Sequence, residues 1–455
     1  MANQNILTYG AAISNIEQLY YSPSAVIPGT NVPLGTSYVF LSRVNPWPND
    51  STPPIPTQDQ QYIKSVFKNI FVAKKVTSND LCPVISRIDW TANTVYDYYQ
   101  DGIDMFKKDS ISGLPIYQFY VKNAYDQVFK CLWNNNGAGS TQMPFFQPGT
   151  YGTDNIFQSV DGYKWKYMYT ISSGLKVKFM DTTWIPVPVG ANTPNPLLTS
   201  AGYGDIEVIN VTNGGTGYDP ANATIAVTVT GDGVGASGTA VVSGGVITDI
   251  LVANTGTNYS YANVSITSAS GSNAAAVAFA SPVGGHSFDP ISELGCSNIM
   301  VTVDFNGSEG GYIPTDITYH QLGIIVNPTT SQYSPIPANG TIYSSTTNFV
   351  VAPGFGTYLS DEIIYQGTSL AAATFTATIL SYDVGNNVVK LINTNGTPVI
   401  NSPIFGQTSG TTRTLLSYSV PNYTLFSGYM SFIENRSGIQ RSTDGIEQFK
   451  IVLGY

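Results

Sequence analysis

Charge is scarce in this chain of 455 residues. Asp, Glu, Lys and Arg together make up 11%, against roughly 25% in an ordinary soluble domain. Basic residues number 19 and the net charge is −10. The cations are scattered, whereas a nucleic-acid groove needs them clustered, so no nucleic-acid partner is expected. Their densest group, within 64–75, falls on a predicted amphipathic helix and reads as its solvated face. Cysteine is nearly absent: Cys82, Cys131 and Cys296 give neither a disulfide framework nor a zinc spacing, and fit a chain made in a reducing cytoplasm. The two histidines, His286 and His320, have no second ligand type at metal-binding spacing, so neither a metal nor a cofactor is expected. Long apolar runs are missing as well. The longest, 274–280, is too short to span a membrane. No Lys or Arg precedes Arg43 and no apolar segment follows Met1, so no signal peptide is expected. A protein of this kind that works outside the cell would leave by lysis.

What fills the space is Tyr (30), Gly (44), Asn, Thr and Ser, with a normal 42% hydrophobic content. That composition suits a mainly β protein with large polar, uncharged contact surfaces. The length exceeds one ordinary core and implies several domains. Residues 1–57 are rich in Pro and Asn, with a strand-like run at 38–41. A helix is predicted next, with a capping box from Thr57 to Gln60 and a core stripe of Ile63, Val66, Phe67, Ile70 and Phe71. Residues 84–189 read as short strands and turns. Asp161-Gly162 opens a run in which Tyr163, Trp165, Tyr167 and Tyr169 alternate with other residues, a hairpin strand with one large-ring face.

Residues 201–282 differ sharply: Gly, Ala, Thr, Val and Ser with almost no charge. They contain a repeat with an offset of 41 (247 − 206), in which Ile206, Ile209, Asn213, Gly215 and Tyr218 recur as Ile247, Ile250, Asn254, Gly256 and Tyr259. Two copies are too few for a solenoid and imply a compact lobe with internal pseudo-symmetry. Residues 341–417 form a second β-only block, with Asn386-Asn387 at a hairpin turn. The reading is therefore one β-sandwich-like core with a few short helices, in three segments (1–200, 283–340 and 418–455), carrying two all-β inserts at 201–282 and 341–417.

Catalytic patterns are not found. No Gly-x-Ser-x-Gly elbow is present. The G-x-G-x-x-G match at 233–238 lies between strands of the repeat, with no helix to cap a phosphate, and reads as a turn. The acidic spots at 101–104 and 361–362 lack the calcium-loop pattern. Among 29 acids, a glycosidase-like pair has no specific support. Arg87, Asp89 and Trp90 read as a strand-end ion pair beside a buried ring.

Several segments, in order, resemble one family. Residues 38–47, ending in Pro46-Trp47, are similar to its early strand. Arg87, Asp89 and Trp90 match its Arg-x-Asp-Trp. Asp161, Gly162, Tyr163, Trp165, Tyr167 and Tyr169 match its Asp-Gly-Tyr-x-Trp-x-Tyr-x-Tyr. Asn327 and Pro328 end its Ile-x-Asn-Pro. Ser427-Gly428-Tyr429-Met430 and Glu434-Asn435-Arg436 match its Ser-Gly-x-Met and Glu-Asn-Arg. The family is the baseplate wedge subunit, product of gene eight, of contractile-tailed bacteriophages of the T-even type. The two inserts lie outside the resemblance.

The resemblance implies a non-enzymatic structural protein of the virion tail, made in the host cytoplasm. It implies a homodimer that joins other wedge proteins in a six-fold baseplate, which rearranges on host attachment. Catalytic, cofactor and metal residues are not implied, and neither is a membrane or nucleic-acid partner. An alternative is a tail adhesin whose β inserts bind host surface glycans; a tail-associated glycosidase is a further rival. Glu434-Asn435-Arg436 is expected to anchor the closing strand, with Arg436→Ala costing on the order of 3 kcal/mol if the pair is partly buried. The lobe at 203–282 is expected to be exchangeable for a short linker without unfolding the rest.

Overall fold

The computed structural model describes residues 8–23, 35–149, 155–189, 204–219, 225–330, 336–442 and 445–455. The described residues are mainly β, with 44% strand and 10% helix. No helix among these residues is long and apolar enough to cross a membrane. Two compact units divide it: Met1–Glu17, Cys82–Met300 and Val452–Tyr455 form the first, Gln18–Leu81 and Val301–Ile451 the second.

The first unit is organised by an antiparallel sheet in the order Tyr120–Lys122, Gln127–Asn134, Tyr163–Thr170, Ile156–Gln158. Its ring face buries Tyr163, Trp165 and Tyr167 against Phe129, Phe146 and Phe157. Tyr169 leaves that set. Val128 pairs with Tyr169 and Phe129 with Tyr167, so Met168 is an extra residue in the ladder. Such a bulge breaks the alternation of faces, and Tyr169 packs with Met168, Val128 and Tyr120 in a second cluster. Cys82, Cys131 and Cys296 are all buried and unbridged. Burial pushes the Cys296 thiol up to about 12.

The 41-residue repeat becomes a six-stranded sheet in this unit, spanning Ile209–Thr216 to Ser272–Ala278. Its symmetry is visible where Ile209 pairs directly with its own equivalent, Ile250. Gly215 and Gly256 have φ of 65° and 63°. Their amides donate to Asn213 and Asn254, each at 2.9 Å. A Cβ at either glycine would lie 2.8 Å from the ring of Tyr218 or Tyr259 respectively. Both tyrosines are buried, so each copy repeats one turn packed on one ring.

The second unit holds a five-stranded antiparallel sheet, ordered Ile342–Ser344, Ile70–Val76, Ser37–Ser42, Thr318–Val326, Tyr429–Gln440. The helix Gln60–Asn69 supplies Val66 and Phe67 to its core. Two details differ from the sequence reading. The N-cap is Asp59, whose carboxylate accepts the Tyr62 amide, in place of the Thr57–Gln60 box. The helix also ends at Asn69, so Ile70 and Phe71 belong to a strand. Their β-branched and aromatic side chains suit a strand, and both are fully buried there. The same unit carries a closed six-stranded barrel from Thr347–Val351 to Thr412–Ser419. The expected hairpin is part of it: Asp383 pairs with Val388, and Asn387 takes a φ of 53° in the turn.

Candidate functional site

The family-like residues fall into three junctions, each joining segments distant in sequence. In the first unit, Trp90 Nε1 donates to Ser140 Oγ at 3.0 Å, and Ser140 Oγ donates to Asp161 Oδ2 at 3.0 Å. Asp161 also accepts the amides of Thr141 and Gln142 at 2.8 and 2.9 Å. Burial acts to raise its carboxyl, but these donors and Ser159 outweigh it and hold the pKa below the ordinary range. Gly162 turns the hairpin with a φ of 84°, and a Cβ there would meet the Asn135 side chain at 2.8 Å. Tyr163 stacks on Trp165 and donates its hydroxyl to the Ala138 carbonyl. Arg87 and Asp89 do form an ion pair, at 2.9 Å. The Trp90 ring beside them is half-buried, where the sequence suggested full burial.

In the second unit, Asn435 is a hub. Its Oδ1 accepts from Tyr62 Oη at 2.8 Å and Gln321 Nε2 at 2.7 Å, and its Nδ2 donates to the Pro54 carbonyl at 2.7 Å. Gln321 in turn accepts from Ser42 Oγ at 2.7 Å. One residue away, the Arg436 carbonyl accepts from Trp47 Nε1 at 3.0 Å, and Arg43 lies 3.8 Å over the Trp47 ring. Glu434 and Arg436 form a two-point ion pair at 2.7 and 3.2 Å. This pair sits in the middle of Tyr429–Gln440, not at the start of the closing strand Ile446–Gly454. Its side chains are 35% and 38% exposed. A pair this wet contributes under about 1 kcal/mol, which lowers the sequence-based figure.

The third junction ends the strand Thr318–Val326. Asn327 turns left-handed at a φ of 52°, and its Oδ1 accepts the Thr36 amide at 2.9 Å. The Pro328 carbonyl then accepts the Ala338 amide.

A buried polar array in the first unit was not legible in the sequence. The strand Tyr163–Thr170 sends rings to one face and Lys164 and Lys166 to the other. Lys130 stands directly opposite Lys166 in the ladder. Lys164 bonds Asp249 at 2.8 Å and the Ile209 carbonyl at 2.9 Å. Lys166 pairs with Glu207 at 3.2 Å. Lys130 reaches Glu293 Oε2 and His286 Nδ1, each at 3.0 Å, with the Tyr99 ring 4.2 Å away. Glu207 and His286 are joined directly, since Glu207 Oε1 accepts the His286 amide at 2.7 Å.

Three cations thus meet three carboxylates. Burial works against the Glu293 carboxylate, but the Lys130 charge overcomes it and holds the pKa at about 2. Burial, followed by the Lys130 charge, holds His286 below its ordinary value. A neutral imidazole is what lets Nδ1 accept from Lys130. With its amine engaged by Glu293, His286 and Tyr99, Lys130 serves as a tie and not as a nucleophile. The expectation that the lobe can be swapped for a linker overlooks this array. The swap removes Glu207 and Asp249 and uncovers the lysine face. The alternation of lysines with rings was the available signal, but acids at 207, 249 and 293 share no spacing that points to it.

The same unit contains a cleft of about 1000 Å³. Tyr9, Ile103, Phe106, Val283 and Phe288 supply its apolar walls, and Asp101, Asp104 and Asp289 stand among them. Among the described residues, no group of three or more His, Cys, Asp or Glu is placed to hold a metal ion. Compared with known proteins, the chain matches no family model, and no curated protein is significantly similar to it.

Proposed function

We propose that the chain is a non-enzymatic structural subunit of a contractile phage tail baseplate wedge. It acts as a homodimer that bridges neighbouring wedge proteins and moves with them when the baseplate rearranges on host attachment. The observation that carries this reading is the use made of the family-like residues. Trp47, Trp90, Asp161, Asn327 and Asn435 direct their polar groups inward, each to a segment far away in sequence. Such residues hold a frame rigid and leave no reactive group facing a substrate. Rigidity is what a subunit needs in order to transmit a rotation of its neighbours. The low charge and the abundance of Tyr support the same reading, because the cores of protein interfaces are depleted of charge and enriched in aromatics.

An averaged image of intact tails, with this chain carrying a fused label, tests the proposal. The label is expected at the baseplate, in symmetric copies around the tail axis. A label on outward-projecting fibres would favour the adhesin reading, and its absence from the tail would end both.

A further inference from the structure

The cleft of the first unit shares no residue with those that carry the tail reading. Its walls combine two recognition chemistries. Tyr9 and Phe106 meet edge to face at 5.2 Å, and Phe288 stands half-exposed. Asp101 and Asp104 are exposed at the cleft, and among the described residues neither they nor Asp289 has a cationic partner. Lys130, the cation that lines the cleft, is already paired with Glu293. Carboxylates beside aromatic faces suit a guanidinium, which donates two-point hydrogen bonds to the acid and stacks on the ring. A volume of about 1000 Å³ lies at the upper end of ordinary ligand pockets, far more than one side chain fills. We propose that this cleft docks a short segment of a partner protein in which an arginine is flanked by apolar side chains. The apolar flanks cover Ile103, Val283 and Phe288, and the guanidinium lies against Asp101 and Asp104.

The test uses the full chain and a fluorescein-labelled hexapeptide of alternating arginine and leucine, followed by polarisation at two salt concentrations. Saturable binding is expected, weaker by on the order of tenfold in the Asp101→Asn/Asp104→Asn variant. Asparagine retains the oxygen that accepts the Ala280 and Phe106 amides, so the fold is expected to survive, and a thermal melt checks this. Phe288→Ser, at the exposed rim, is expected to weaken binding without changing its salt dependence. Asp383→Asn, in the second unit, should leave binding unchanged. No saturable binding, equal losses in the Asp383 and Asp101/Asp104 variants, equal binding of a glutamate–leucine peptide, or no loss with Phe288→Ser would each overturn the proposal.

Discussion

The six-stranded lobe and the closed barrel are both insert-like in composition, yet they hold themselves together differently. The barrel has a full interior: Phe349, Ile364, Phe375, Ile379, Leu391 and Leu415 are at most 1% exposed. Several of its buried polar groups find partners inside the barrel, although Arg413 Nε and Nη1 and Tyr382 Oη have none among the described residues. Glu362 accepts the amides of Leu359, Thr408 and Ser409, and Arg413 donates to the Gly356 carbonyl. The lobe keeps Ile206, Ile209, Ile247 and Ile250 at most 2% exposed, while Val227 and Val229, on the strand next to the sheet edge, are 8% exposed. Its important carboxylates, on Glu207 and Asp249, reach out of it to Lys166 and Lys164. The difference teaches that a shift in composition can mark an insert without saying whether it stands alone. The destinations of its buried polar groups decide that.

Exchange experiments give the largest expected contrast. Replacing 205–281 with a Gly/Ser linker should lower the urea midpoint of the first unit by more than any single substitution. Replacing 347–419 should leave the remaining transitions unchanged. Equal tolerance of both exchanges would break the comparison.

Single pairs sharpen it. Glu207→Ala strands Lys166, whose side chain is 4% exposed, and should cost about 4 kcal/mol in urea denaturation. Lys166→Met/Glu207→Leu should recover most of that, because packed apolar residues replace a buried pair well. A double variant as unstable as the single one would refute the ion-pair explanation.

Acid should loosen the array. Glu293 titrates at about 2 when folded, against an ordinary 4.5, so the unfolded chain binds its proton first. The stability it supplies is whole above pH 4.5 and is lost as pH falls towards 2, amounting to about 3 kcal/mol. His286, depressed from 6.5, acts in the same direction: the unfolded chain protonates first as pH drops below 6.5. Denaturation midpoints across this range should flatten in Glu293→Gln. An unchanged pH slope in that variant would remove Glu293 from the explanation.

The smallest effect is expected at the surface. Arg436→Ala should change stability by under about 1 kcal/mol, because its pair with Glu434 is more than a third exposed. Asn435→Ala, which unties Tyr62, Gln321 and Pro54, should cost more. The reverse order in thermal melts would mean that the ion pair, not the hub, anchors the strand.

Much of the fold was legible where the signal is local. The Asp161-Gly162 hairpin, the 41-residue repeat and the Asn386-Asn387 turn each rest on neighbouring residues, and each appears as a turn or paired strand. The helix end was missed because Ile70 and Phe71 continue a helical spacing while their burial is in a strand. The face change at Tyr169 was missed because a bulge leaves no mark in a run of alternating rings. The lysine array was missed because its partners are brought together only by tertiary structure.

Assembly is tested most directly by sedimentation. On the proposed wedge reading, the purified chain should sediment as a dimer when alone and in a larger complex when mixed with the wedge proteins that this reading implies. A chain that stays monomeric and joins none of them would contradict the wedge reading.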